Sequence, residues 1–251
     1  MRGRGSVIVF DDSTKMTEFV IGEWERAASE AIRQRGFFAV ALSGGRTPVP
    51  FYRGLAARRD MRAWDKTHVF LVDERFVPTT DADSNYRMIR ERLLDAVDIP
   101  ASNIHPVPTG LPDAESAAKK YEEILISFFG LSDGELPVFD LILLGLGTDG
   151  HTASLFPGSR ALQEKGCLVD SAVLGNARHD RITLTFPVIN SARNVLFLVT
   201  GKDKADVLRE VAEERNAALP ASDVAPGRGR LLFLADPGAA SRLSAGRRQM
   251  P

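Results

Sequence analysis

Short apolar runs alternate along this chain with stretches whose apolar residues recur at helical spacing. Residues 6–10 (SVIVF), 37–42 (FFAVAL), 67–72 (THVFLV), 194–200 (NVLFLVT) and 231–235 (LLFLA) read as strands. So do residues 138–144, apolar except for Asp140. Strands of this kind, without a polar face, suit a sheet covered on both sides. Residues 103–107 form a shorter candidate, and residues 181–186 (RITLTF) alternate like a half-exposed strand. Between them lie helical faces: Val20, Trp24, Ala27, Ala28, Ala31 and Ile32, closed by Gly36. A helix is expected over 50–59, and Ser84 is placed to cap one bearing Tyr86, Ile89, Leu93 and Val97. Asp113 can cap another, buried through Ala114, Ala117, Ala118, Tyr121, Leu125 and Phe128. Residues 187–192 make a short turn or helix, and a further helix opens after Gly201. The alternation predicts an α/β layered fold with a largely parallel sheet.

The chain has 251 residues, enough for one large domain or two small ones. With no internal repeat and no low-complexity linker, it reads as a single domain over 1–251, with loose tails at 1–5 and 246–251. Hydrophobic residues make up 44% and charged residues 26%, as in a soluble globular protein. A net charge of −1 removes any general argument for nucleic acid or an anionic membrane as partner. The single cysteine, Cys167, cannot form an internal disulfide. That points to a reducing compartment, with Cys167 itself a small apolar filler. No stretch has the apolar length of a signal peptide or a membrane span.

Four strand ends carry the candidate chemistry: Ser43-Gly44-Gly45-Arg46-Thr47, Asp73-Glu74-Arg75, Gly147-Thr148-Asp149-Gly150-His151, and residues 201–204. In a parallel sheet all four lie along one edge, where ligands bind beyond the carboxyl ends of the strands. The first loop combines two glycines, the Thr47 hydroxyl, the Arg46 charge and a following helix. It reads as an anion site built on backbone amides, or as a tight strand-to-helix turn. Its spacing matches neither a P-loop nor a dinucleotide fingerprint. Arg75 can make paired hydrogen bonds to phosphate or carboxylate, or belong to a surface ion-pair cluster. Lys204 can neutralise a phosphate across the crevice, or be a solvated helix lysine.

Of the four histidines, His68 sits in a strand, His105 precedes a proline and His179 lies in a polar loop, all three structural or solvated positions. Only His151 stands in a Gly/Asp/Thr-rich turn after a buried strand. An imidazole titrates near ~6.5 and accepts a proton at neutral pH, and Asp149 can orient it. No two-histidine or Cys/His cluster supports a metal, and no G-x-S-x-G elbow supports a nucleophilic serine.

LSGGRTP (42–48), DER (73–75) with SNY (84–86), and GLGTDGHTASLFPG (145–158) resemble the 6-phosphogluconolactonases of the glucosamine-6-phosphate isomerase/6-phosphogluconolactonase family. RITLTFPVIN (181–190), VTGKDKA (199–205) and LPASDVAPGRGRLLFLAD (219–236) extend the resemblance over most of the chain. It implies a three-layer, doubly wound α/β fold with helices on both faces, similar to glucosamine-6-phosphate deaminase and ribose-5-phosphate isomerase. It implies hydrolysis of 6-phospho-D-glucono-1,5-lactone to 6-phosphogluconate in the oxidative branch of the pentose phosphate pathway, without a cofactor and without metal. It also implies a cytoplasmic enzyme, monomeric by default with a weak homodimer as the alternative.

The resemblance places the general base on His151, with Asp149 and Arg75 completing the catalytic set. The sugar phosphate is then bound by Ser43, Gly44, Gly45, Arg46, Thr47, Asp73, Arg178 and Lys204. Two departures stand out. Arg178-His179-Asp180 replaces a Lys-Pro-Pro-like stretch, so Arg178 stands in for a phosphate-binding lysine, and Phe233 stands where a Trp is common. A sugar-phosphate isomerase or deaminase is the first alternative, with Asp73 as proton carrier. Such enzymes carry Glu-Pro where this chain has Phe156-Pro157, and a phenylalanine moves no protons. A non-catalytic sugar-phosphate sensor is the second, although no basic helix-turn-helix stretch accompanies it.

Overall fold

The computed structural model describes residues 5–58, 63–172 and 179–249. Its centre is an eight-stranded sheet in the order β11-β1-β10-β9-β6-β2-β3-β5, with every pairing parallel. The strands are β1 (Ser6–Val9), β2 (Phe38–Leu42), β3 (Thr67–Leu71), β5 (Ile104–His105), β6 (Leu141–Gly145), β9 (Asn194–Val199), β10 (Arg230–Ala235) and β11 (Arg248–Gln249). β2 is buried at all five positions, which is why it reads as apolar throughout. Residues 248–249, part of the expected closing tail, pair with β1 at the sheet edge.

Helices α1 (Ser13–Arg35), α2 (Val49–Ala56), α3 (Asn85–Arg92), α4 (Ala114–Phe129), α5 (Phe186–Ser191) and α6 (Ala205–Arg209) complete the main elements. Right-handed crossovers put α1, α2 and α3 on one face, since the chain there steps outward from β1 to β5. α4 and α6 belong to the other face, where the chain steps back. Local chemistry sets the helix ends. Asp12, Ser84 and Asp113 each accept a backbone N–H of the first turn, and Gly36 closes α1 in the left-handed conformation. Trp24 carries the apolar face of α1 into the core against Phe38, Phe51 and Trp64.

A second sheet departs from the sequence reading. β4 (Asp73–Arg75), β8 (Arg181–Leu184) and β7 (Val169–Ala172) form a three-stranded antiparallel sheet in the order β4-β8-β7. The chain leaves the main sheet at Val72, so Asp73-Glu74-Arg75 is a strand rather than a loop. The apparent half-exposed strand is buried at Ile182, Thr183 and Leu184, because β8 is the middle strand and its threonine faces protein. β7 carries Asp170 and Ser171 and gives no apolar run, so it was not legible.

Asp140 is 2% exposed, which a lone charge could not tolerate. It accepts from Ala39 N at 3.0 Å and from Arg35 at 2.6 Å, with Arg193 at 3.3 Å. Burial still pushes its carboxyl above the ordinary range, against those three partners.

At the β3–β5 edge, His68 Nδ1 and His105 Nε2 lie 3.2 Å apart, so one ring donates and the other accepts while both are neutral. His105 also stacks on Phe70 at 4.2 Å. Burial, with His68 adding to it, pushes His105 down to about 4. The unfolded chain therefore takes up a proton at this position first as pH falls, so the contribution of His105 to stability is full above about 6.5 and is lost between there and about 4. Thermal melts should show the melting temperature dropping from pH 7 to pH 4.5, with a flatter acid slope in His105→Phe. An unchanged slope in that variant would clear the histidine pair of responsibility.

Candidate active site

β2 and β6 are neighbours that the chain leaves in opposite directions, and a crevice opens at their carboxyl ends. A cavity of about 770 Å³ occupies it. It is lined by the loop after β2, by β4, by the turn after β6, and by Thr200 and Lys204 after β9. The convergence of four strand ends expected from the sequence is thus realised on one chain.

The turn after β6 is built for closeness. Gly147 N donates to His151 O at 2.8 Å, which folds the turn back on itself. A Cβ on Gly147 would lie 2.1 Å from His151 Nδ1 and 2.5 Å from Asp149 Oδ1, so only glycine leaves room for the pair. His151 Nδ1 donates to Asp149 Oδ1 at 2.6 Å. That bond fixes the ring so that Nε2 is the nitrogen available to a ligand. The ring also packs on Phe156, with centroids 4.4 Å apart. Burial pushes the Asp149 carboxyl up, but the hydrogen bond and charge of His151 outweigh it and hold the group below its ordinary value. His151 retains 32% side-chain exposure and lines the cavity.

Along β4 successive side chains point to opposite faces. Asp73 and Arg75 line the cavity, while Glu74 turns away and is 1% exposed. Glu74 accepts from the backbone N–H of Arg75, Asn85 and Tyr86 at 2.7–2.8 Å and from Ser84 Oγ at 3.0 Å. This carboxylate ties β4 to the amino end of α3. Burial raises its pKa against those four donors. Arg75 donates from Nη1 to Asp83 O at 2.6 Å, so one arm of the guanidinium is already engaged. Asp83 also accepts from His179 Nε2 at 3.0 Å, which accounts for that histidine structurally.

The loop after β2 differs in detail from the sequence reading. Gly44, Gly45, Arg46 and Thr47 line the cavity, and so does Ser43, but Ser43 Oγ spends its proton on Leu143 O at 2.7 Å. Ser43 O in turn accepts from Tyr52 at 2.6 Å. Ser43 therefore fastens the loop to β6 as well as facing the cavity. Thr47 Oγ1 lies 3.4 Å from Thr200 Oγ1, joining this loop to the end of β9. Lys204 is 21% exposed, with Asp203 at 3.9 Å, and reaches the same cavity. Arg178 lies outside the described residues. Among the described residues, no group of three or more His, Cys, Asp and Glu side chains is placed to hold a metal ion.

Sequence reasoning missed Asn85 and Ser154. Asn85 lines the cavity, and its Nδ2 donates to Asp73 O at 2.9 Å. Ser154 Oγ donates to Asp73 Oδ2 at 2.7 Å. Both are buried polar residues, a signal visible only once burial is known. A Cβ on Gly44 would lie 1.8 Å from Asn85 Oδ1, so the loop and α3 interlock at a glycine.

The chain matches the family described as glucosamine-6-phosphate isomerases/6-phosphogluconolactonase over residues 11–233. It is 47% identical over 218 residues to a 6-phosphogluconolactonase of Synechocystis sp., covering 86% of this chain and 88% of the relative. It is 40% identical over 226 residues to the 6-phosphogluconolactonase of Rattus norvegicus, covering 88% and 86%. Its fold is similar to that of 6-phosphogluconolactonase from Trypanosoma cruzi, with a TM-score of 0.85, 31% identity and coverage of 98% and 99%.

Gly44→Ala should push Asn85 off the Asp73 carbonyl and cost about 1–3 kcal/mol, several degrees in a thermal melt. Gly22→Ala is the matched control. It lies mid-α1 with nothing within 4 Å of the new Cβ and should be neutral or stabilising. Equal melting temperatures for Gly44→Ala and the wild type would show that the interlock carries no energy.

Proposed function

The chain belongs to the family of glucosamine-6-phosphate isomerases and 6-phosphogluconolactonases and hydrolyses 6-phospho-D-glucono-1,5-lactone in the pentose phosphate pathway, and we propose that His151 is the general base of that reaction. The observation that carries the reading is one cavity lined both by the Asp149-held imidazole and by the glycine loop with Lys204.

In this mechanism the phosphate rests on the backbone of the Ser43–Thr47 loop and on Lys204, with the Thr47 hydroxyl beside it. Binding energy at that remote group fixes the lactone carbonyl near His151. His151 Nε2 takes a proton from water as the water oxygen bonds to C1. The charge on the former carbonyl oxygen is met by the free arm of Arg75 or by amides of the turn. As the tetrahedral centre collapses, the bond from C1 to the ring oxygen breaks, and the imidazolium returns its proton to that oxygen. Asp149 keeps the imidazole in one tautomer and stabilises the imidazolium while it exists. Asp73 accepts a substrate hydroxyl and so orients the ring. A lactone is an activated ester, and this sequence of steps needs only these side chains. The reading includes a cytoplasmic monomer. The cytoplasmic location is supported by a lone cysteine, which has no partner for an internal disulfide.

In a coupled assay with freshly generated lactone, scored against spontaneous hydrolysis, His151→Ala should lower kcat by at least about 10²-fold with the fold retained. Near wild-type turnover in the variant would remove His151 from the mechanism. Lys204→Met should raise KM for the phosphorylated lactone and leave the slow turnover of unphosphorylated gluconolactone unchanged. Equal losses on both substrates would argue against a phosphate contact.

A further inference from the structure

Asp73 stands at the cavity wall only 9% exposed, and a buried hydroxyl donates to its carboxylate. Ser154 Oγ donates to Asp73 Oδ2 at 2.7 Å. Ser154 itself is 1% exposed and does not line the cavity, so it reaches a ligand only through Asp73. The other carboxylate oxygen, Oδ1, has a single long contact, Asn85 Nδ2 at 3.5 Å. One oxygen is thus held inside the protein and the second is left for whatever enters the cavity.

The backbone around Ser154 is shaped for this bond. Ala153, between His151 and Ser154, has φ of 51°, in the left-handed region that costs a non-glycine residue energy. It lines the cavity where it turns the chain. Ser154 N donates to Thr183 Oγ1 at 3.3 Å, and Thr183 is the register partner of Asp73 across β4 and β8. The turn that carries His151 is therefore pinned to the small sheet at the level of Asp73. The imidazole and the carboxylate, 78 positions apart along the chain by their numbers (151 − 73), are joined through three consecutive residues of one turn.

We propose that Ser154 is a positioning residue. Its hydroxyl locks the Asp73 carboxylate so that Oδ1 receives a hydroxyl of the sugar, and it sets the distance between that contact and His151. The proposal rests on the lactonase reading and on Asp73 as a substrate contact. Loss of the Ser154 hydroxyl leaves Oδ2 buried without its donor and lets the carboxylate turn. The phosphate end of the site is untouched.

A double-mutant cycle on the lactone tests it: wild type, Ser154→Ala, Asp73→Asn and the double variant, each with kcat, KM and a thermal melt. Ser154→Ala should lose about 10- to 100-fold in kcat/KM, the scale of one hydrogen bond to a charged group. The loss should fall mainly in kcat. In the Asp73→Asn background the same substitution should cost less than about 2-fold. Ser154→Thr, which keeps the hydroxyl, should recover part of the loss, and competitive inhibition by inorganic phosphate should be the same in all folded variants. Additive losses would overturn the proposal, because Ser154 would then act independently of Asp73. So would full activity in Ser154→Ala or in Asp73→Asn, or losses matched by a proportional fall in melting temperature with no rescue. A wild-type protein that fails to accelerate lactone hydrolysis would instead strike the function itself, which separates the two failures.

Discussion

The seam between β2 and β6 decides where this protein has a cavity. Only Val40 with Leu141 and Ala41 with Ile142 are in register across it, so the two strands part early toward their carboxyl ends. Side chains close what the ladder leaves open. At the amino side Asp140 takes the N–H of Ala39 and returns its own N–H to Ala39 O. At the carboxyl side Ser43 Oγ bridges to Leu143 O. Beyond that bond the chain leaves β2 toward one edge of the sheet and β6 toward the other. No strand can fill the gap, and the loops that flank it are free to bind.

What lines the gap comes from two sheets of different character. The parallel sheet supplies the glycine loop after β2, the histidine turn and the lysine. The small antiparallel sheet supplies Asp73 and Arg75, with alternation along β4 sending Glu74 the other way into the amino end of α3. Two adjacent carboxylates thus do opposite work. Glu74 holds structure through four donors, whereas Asp73 keeps one oxygen for the cavity. Both arrangements satisfy the rule that a buried carboxylate needs donors, and they differ in whether any acceptor capacity is left over.

Much of this was legible because it is local. The helix ends at Ser84, Asp113 and Gly36 depend on residues within one turn. The buried strands announce themselves by continuous apolar runs, and the Gly/Asp/His turn by residues that suit neither helix nor strand. The antiparallel sheet was not legible. Its strands are short and polar, with Asp73, Glu74, Arg75, Asp170 and Ser171 among their residues, and each is stabilised by partners far along the chain. β8 misled for the same reason: alternation between isoleucine and threonine reads as one wet face until a third strand and a buried hydroxyl network cover it.

The amino-acid sequence by itself determined the α/β architecture, the edge at which chemistry collects and the residue types available there, because apolar periodicity and turn chemistry act over a few positions. Tertiary structure alone decided how those residues are used. Ser43 turned out to fasten its loop to a carbonyl 100 residues away, and Asp73 is gripped by a serine 81 residues away. A hydrogen bond is made by whichever group the fold brings within about 3 Å. No spacing along the chain encodes that for partners on separate elements.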